Sequence, residues 1–170
     1  TPADSPDANT VCGLGNRKNK VFNDLVREEG VDPYPGSVRF LDYLERRGPL
    51  KVAVVSSSKN APAVLEAAGL AGRFQTVVDG NVAAARKIPG KPAPDTYLDA
   101  ARQLGVDRAA CAVVEDAVSG VQAGHAGGFG AVIGVDRGAG VDALTEAGAT
   151  VVVKDLEELV PESFESVPGA

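Results

Sequence analysis

Two carboxylates stand side by side at Glu115 and Asp116, directly after the apolar run Cys111-Ala-Val-Val. Adjacent carboxylates repel unless a cation lies between them. Hard oxygen donors of this kind suit Mg²⁺, which takes one or two carboxylates together with waters and substrate phosphate. The plainer alternative makes Asp116 the cap of a following helix and Glu115 a solvated neighbour. Two further segments carry side chains able to do chemistry. Ser56-Ser57-Ser58-Lys59-Asn60 follows another apolar run, and hydroxyls with freed backbone amides at a helix start bind phosphate. Otherwise it is a serine-rich turn in which Ser58 or Asn60 caps the next helix. Lys91 lies in Ile88-Pro-Gly-Lys91-Pro-Ala-Pro-Asp95. The surrounding prolines stiffen the backbone and preset the lysine. Such a lysine suits the neutralisation of phosphate beside carboxylates; the alternative is a proline-rich loop that fixes a helix start.

The elements that must hold these groups are legible in the apolar rhythm. Residues 50–55, 76–78, 111–114, 131–135 and 150–153 read as short buried strands, and residues 61–68, 95–104, 118–126 and 141–147 as helices between them. Strand and helix in alternation imply a parallel sheet with helices on both faces, and ligands of open α/β sheets sit at the carboxyl ends of the strands. Glu115 and Asp116 fall at such an end. Gly120 and Gly124 let the following helix approach the sheet closely. Before the alternation, residues 1–10 read as a mobile loop. A helix from Leu14 to Glu29 follows, with Val21, Phe22, Leu25 and Val26 as its apolar stripe and Gly30 as its end. The rigid connector Asp32-Pro-Tyr-Pro-Gly36 leads to a second helix, for which Ser37 is the expected cap. We expect three parts: residues 1–32, the α/β body 33–160 and a frayed tail 161–170.

Composition narrows the functional classes. Hydrophobic residues make up 44% and charged residues 24% of 170, and the net charge is −6. That balance is ordinary for a globular protein and argues against nucleic acid or an anionic membrane as partner. No apolar run approaches the length of a membrane span. Cys12 and Cys111 read as free thiols in a reducing cytoplasm. The chain contains no Met and starts at Thr1, so we expect it to be part of a longer polypeptide.

Taken together, a strand-end serine, a braced lysine and a strand-end acidic pair, in that order, resemble the second, third and fourth motifs of the haloacid dehalogenase (HAD-like) superfamily. The segments after them, Gly120-Val-Gln-Ala-Gly124 and Gly127-Gly-Phe-Gly, are similar to its β-phosphoglucomutase branch. The resemblance implies a Rossmann-like α/β core preceded by the remnant of a helical cap. Ser56 would bind the transferred phosphoryl group with the Ser57 amide nearby. Lys91 would bridge that group and the attacking carboxylate. Asp116, assisted by Glu115, would hold Mg²⁺. Ser58, Lys59 and Asn60 match positions that contact substrate phosphate. Arg17, Lys18 and Asn19 match the part of the cap that faces the active site and could hold the substrate's remote phosphate; the alternative is a solvated basic helix start. His125 is given no catalytic role; Arg86 and Lys87, in the loop before Lys91, read as solvated loop charges, with a position facing substrate as the alternative.

One departure bears on activity. The superfamily's first motif, Asp-x-Asp-Gly, which supplies the nucleophile and the general acid and base, is not found in the sequence, and Asp79-Gly80 lacks the leading Asp. The resemblance therefore implies the charge-neutralising half of a phosphotransferase for sugar phosphates, inactive by itself or active with its own cleaved N-terminal fragment. In the family the absent first strand is central, between the strands that lead to Ser56 and to Glu115. A phosphatase is the alternative enzyme. A receiver-like or purely interacting domain is the alternative without catalysis, disfavoured because Lys91 precedes the acidic pair.

Overall fold

Branched apolar residues dominate every strand of the computed structural model, which describes residues 1 and 3–164. Such side chains lose little freedom on a pleated surface and pack well there. The strands are β1 (Ala53–Val55), β2 (Thr76–Val78), β3 (Ala112–Glu115), β4 (Ala131–Val135) and β5 (Val151–Val153). The helices are α1 (Val11–Glu29), α2 (Pro35–Arg46), α3 (Ala61–Ala67), α4 (Gly80–Arg86), α5 (Asp95–Leu104), α6 (Val118–Ala126) and α7 (Val141–Glu146). Every strand pairing is parallel, as the alternation predicts. The strands form two sheets, β1-β2 and β3-β4-β5. Ala53 lies opposite Thr76, Ala112 opposite Ala131 and Ile133 opposite Val151.

The chain divides into two units. The first joins Thr1–Asp32 to Asn60–Gly72 and contains α1 and α3. Here α1 begins three residues before the expected Leu14, because the Thr10 hydroxyl accepts a bond from the Gly13 amide at 2.9 Å and caps the helix. The segment expected as a mobile loop is instead tied down. The Asp4 carboxylate accepts from the hydroxyls of Thr1 and Thr10, both at 2.7 Å, and Asn16 donates to the Asp4 carbonyl at 2.8 Å. Of the expected apolar stripe on α1, Val26 is buried, while Val21, Phe22 and Leu25 are exposed.

The second unit, Pro33–Lys59 with the chain from Arg73 onward, contains all five strands. Its centre is a cluster of Val121, Val132, Leu144 and Ala147 between α6, α7 and the sheet. A second cluster gathers Tyr97, Val113 and Ala123, and a third Val135, Val153 and Leu156. Gly124 is what lets α6 lie so close: a Cβ there would stand 3.1 Å from Val113 and 3.2 Å from Val132. Several expectations shift. Ser37 does not cap α2, which starts at Pro35, a residue preorganised for the first helical position; the Ser37 hydroxyl accepts from Arg137 at 2.9 Å instead. Strand β1 spans only the last three of residues 50–55. Helix α4 was not expected. It exists because buried Asp79 caps it, accepting from the amides of Asn81 and Val82 at 3.0 and 2.8 Å. Residues 165–170 of the expected tail lie outside the described residues.

The packing yields a direct test. Leu144 is wholly buried, so Leu144→Ala is expected to lower stability by about 2–5 kcal/mol, on the order of 4–20 °C in melting midpoint for a chain of this length. Val141→Ala, at a position 47% exposed, is expected to stay within about 0.5 kcal/mol. Thermal or urea denaturation checks both.

Candidate active site

Lys91 gathers the site in the second unit. Its ammonium donates to the Val55 carbonyl at 3.2 Å and to the Glu115 carboxylate, and it stands 4.9 Å from the centre of the Tyr97 ring. Val55 ends β1 and Glu115 ends β3. One lysine thus joins the carboxyl ends of strands from two different sheets. Lys91 and Glu115 are nearly buried, at 11% and 10% side-chain exposure, where an ion pair is screened far less than on a surface.

Each neighbour is held by local structure. Ser56 follows β1 directly: its amide donates to the Val78 carbonyl at 2.9 Å, and its hydroxyl accepts from the Ser58 amide at 3.1 Å. Ser57, Ser58 and Lys59 are exposed beyond it. Their turn rests on the start of α4, where Asn81 donates to the Lys59 carbonyl at 3.0 Å. Gly80 is needed at that contact, because a Cβ would come within 2.7 Å of the Ser57 carbonyl. Glu115 turns its other oxygen to the amides of Asp116 and Ala117, at 2.8 and 3.3 Å. Gly120 leaves room for this carboxylate, which a Cβ would overlap.

The two acids titrate in opposite directions. Burial pulls Glu115 upward, but the Lys91 ammonium and the two backbone amides outweigh it and hold the carboxyl below the usual glutamate range. Burial raises Asp116, and the neighbouring Glu115 raises it further. Asp116 does not cap α6, whose cap position is Ala117; its side chain is exposed at the strand end. A carboxylate whose ionisation is disfavoured by burial and by a second acid is a place where a cation would be welcome. Two carboxylates meet what Mg²⁺ asks of protein when waters and phosphate complete its shell. Among the described residues no group of three or more acidic, His or Cys side chains is arranged to hold a metal.

Ser56, Ser57, Ser58, Lys59, Lys91, Glu115 and Asp116 therefore all belong to the second unit, whereas Asn60, Arg17, Lys18 and Asn19 belong to the first. Asn60 occupies the cap position of α3, where its side chain makes no capping bond. Arg17, Lys18 and Asn19 are exposed on α1, and Arg17 donates to the Pro6 carbonyl at 2.9 Å. Consecutive helical positions point about 100° apart, so these three side chains do not share one face. Arg86 is not a free loop charge: it ends α4 and pairs with buried Asp99 at 2.7 Å. Lys87 takes the left-handed cap position after it, with φ 55°. His125 is exposed and packs on Gly148.

Tyr97 was missed from sequence. It is 7% exposed with its hydroxyl buried, and burial together with the neighbouring Glu115 carboxylate suppresses its ionisation. The available signal was its place six residues after Lys91 on the buried face of a helix.

The pair makes acid stability a readout. Because folding lowers Glu115, the stabilisation is fully present above its ordinary value of 4.5 and is lost as pH falls through the lower folded value. Asp116 runs the other way, its ionisation opposing the fold as pH rises above 3.8 through its raised folded value. Glu115→Gln is expected to cost about 3 kcal/mol at pH 7 by leaving Lys91 without its anion, and to flatten the acid limb. Asp116→Asn is expected to raise the melting midpoint in metal-free buffer at pH 7. Melting curves from pH 3 to pH 8 check both.

The sequence and the fold are similar to those of known proteins. The haloacid dehalogenase-like hydrolase family profile matches residues 7–128. A β-phosphoglucomutase of Mycobacterium bovis is 48% identical over 94% of this chain and 62% of its own length. A β-phosphoglucomutase of Bacillus subtilis is 35% identical over 88% of this chain and 62% of its own. Among solved structures, a HAD family hydrolase of Deinococcus radiodurans with bound phosphate and sodium superposes with a TM-score of 0.70 at 30% identity, covering 86% of this chain and 62% of that one. The β-phosphoglucomutase of Clostridium difficile gives a TM-score of 0.73 at 25% identity, covering 86% and 61%. This chain thus spans 62% of the length of these two relatives. A profile match across most of its residues, together with the α/β fold those structures share, means that the chain belongs to the haloacid dehalogenase-like hydrolase family.

Proposed function

We propose that this chain supplies the phosphate- and Mg²⁺-binding part of a β-phosphoglucomutase-like phosphotransferase, an isomerase of sugar phosphates that works through a phosphoaspartate whose nucleophile is not in these 170 residues. The observation that carries the reading is Lys91, held at once to the end of β1 and to Glu115. Similarity to β-phosphoglucomutases over nearly the whole chain supports the sugar-phosphate class.

In this reading the Ser56 hydroxyl and the Ser57 amide bind the transferred phosphoryl group. Lys91 neutralises charge between that group and the attacking carboxylate. Transfer of this kind depends on placement and charge neutralisation more than on covalent chemistry by the protein. Asp116, with Glu115 beside it, would hold Mg²⁺, which supplies positive charge to phosphoryl oxygens when bound. Ser58, Lys59 and Asn60, together with Arg17, Lys18 and Asn19, would contact the substrate's phosphates. Residues 1–32 stand for a cap remnant and 33–160 for the core. A reducing cytoplasm suits the two free thiols. The second reading, a phosphatase of small phosphomonoesters, is favoured by the hydrolase family itself and differs only in passing the phosphoryl group to water.

Three measurements test the proposal. Mg²⁺ is expected to raise the melting midpoint, and Asp116→Asn is expected to abolish that rise; an unchanged Mg²⁺ response in the variant overturns the metal assignment. Inorganic phosphate is expected to protect further, and Ser56→Ala to weaken this at least tenfold in phosphate affinity. With β-glucose 1-phosphate and Mg²⁺ the 170 residues alone are expected to form no glucose 6-phosphate above background; turnover by the chain itself would place the nucleophile within it.

A further inference from the structure

Asp99 is buried on α5, its side chain 7% exposed, and it has more partners than its burial requires. One carboxylate oxygen accepts from the Arg102 guanidinium at 2.9 Å and the other from the Gln103 amide at 2.7 Å. These donors lie on α5 itself, three and four residues further along, spacings at which helical side chains meet. A carboxylate withdrawn from water needs a counter-charge and hydrogen bonds, and its own helix already supplies both. The third donor comes from another element. Arg86, the last residue of α4, reaches the oxygen that Gln103 holds, at 2.7 Å.

That third bond spans the Lys91 loop. Helix α4 ends at Arg86 and α5 begins at Asp95, so residues 87–94 form the connection and Lys91 lies at its middle. Prolines at 89, 92 and 94 stiffen the backbone inside the connection, but a stiff loop still pivots about its ends. The ends are what the Arg86–Asp99 pair ties together. On the α5 side, Gln103 also accepts from the Thr76 hydroxyl at 3.3 Å, which fastens Asp99 to the start of β2. On the α4 side, the helix is held at its first turn by the buried Asp79 cap and by the close approach of Gly80 to Ser57 and Lys59. Helix α4 is thus a strut from the serine turn to the base of the Lys91 loop, and its far end is fixed by one ion pair.

We propose that Arg86 and Asp99 are positioning residues whose ion pair is a clasp: it closes the Lys91 loop and holds the ammonium against Glu115 and the end of β1. The clasp stands on this geometry; its use in placing a phosphoryl group rests on the phosphotransferase reading.

The test reads Lys91 itself. The whole chain is treated with acetic anhydride, and mass spectrometry follows acetylation of Lys91 against that of exposed Lys154. Arg86→Gln, at a half-exposed position, is expected to speed acetylation of Lys91 about fivefold, because a buried, paired lysine reacts only when its loop opens. Arg86→Lys is expected to restore most of the protection. Asp99→Asn, measured with circular dichroism showing the native helical signal, is expected to behave as Arg86→Gln does. Arg102→Gln removes an equal charge and a bond to the same carboxylate without spanning the loop, and is expected to leave the Lys91 rate unchanged. Equal acceleration in Arg86→Gln and Arg102→Gln would reduce Asp99 to helix packing and overturns the proposal. So does a Lys91 rate that Arg86→Gln leaves unchanged. Calorimetry with inorganic phosphate is expected to show affinity about tenfold weaker in Arg86→Gln, the loss that a slightly displaced charge brings, and unaltered in Arg102→Gln. Unaltered affinity in Arg86→Gln overturns the positioning role. A chain that binds no phosphate overturns the phosphotransferase reading, while the acetylation rates still decide the clasp.

Discussion

A single buried ion pair bears on how the strands of the second unit come together. Lys91 and Glu115 are both almost wholly withdrawn from water, which is unfavourable for each charge alone. Every remaining polar atom of the pair is therefore occupied: the lysine also meets the Val55 carbonyl, and the carboxylate also accepts from the Asp116 and Ala117 amides. Those partners lie at the carboxyl ends of β1 and β3, in sheets that share no hydrogen bond. The pair thus does between two sheets what a backbone ladder does within one, and it does so at the edge where a phosphate would bind. Its opposite effects on the two acids also follow. Glu115 has the lysine and is held below the usual glutamate range, while burial and the neighbouring Glu115 raise Asp116 above its ordinary value.

Small residues make that geometry possible. Gly120 vacates the space that the Glu115 side chain fills, and Gly124 one turn later lets α6 rest on Val113 and Val132. A helix so close to the strand end aims its first turn back at the acidic pair. Gly80 does the same for the serine turn, letting α4 approach Ser57 and Lys59. The buried Asp99 fixes the other side of the unit, gathering Arg86, Arg102 and Gln103. A charge that reads as solvated in a sequence can thus be spent on packing one helix against another.

Much of this is legible in the amino-acid sequence. Residues 76–78, 95–104, 118–126 and 131–135 match the observed elements residue for residue, because each is a strongly patterned run closed by Gly, Pro or a polar turn. The site residues of the second unit were legible because strand ends in a parallel sheet converge on one edge. What could not be read was tertiary. Nothing local distinguishes Asn60 from Lys59, yet they fall in different units. Helix α4 depends on one capping aspartate that a sequence pattern also offers to a turn. Tyr97 has no motif, and its place beside Lys91 exists only once α5 packs against β1 and β2 and brings the ring to Val113.

The open edges of β1 and β3 follow from the same physics as the ion pair. A sheet edge presents a ladder of unpaired groups, and natural edges are shielded by charge, by bulges or by brevity. Strand β5, the outer edge of the larger sheet, has Lys154 directly after it and the capping box of Asp155 and Glu158 beyond. The inner edges of β1 and β3 present Ala53, Val55, Ala112 and Val114, all apolar. No backbone ladder joins them, and at their carboxyl ends Lys91 and Glu115 tie them together instead. The same ion pair that sets the charge of the site therefore also fixes the spacing of the two strand ends that carry it.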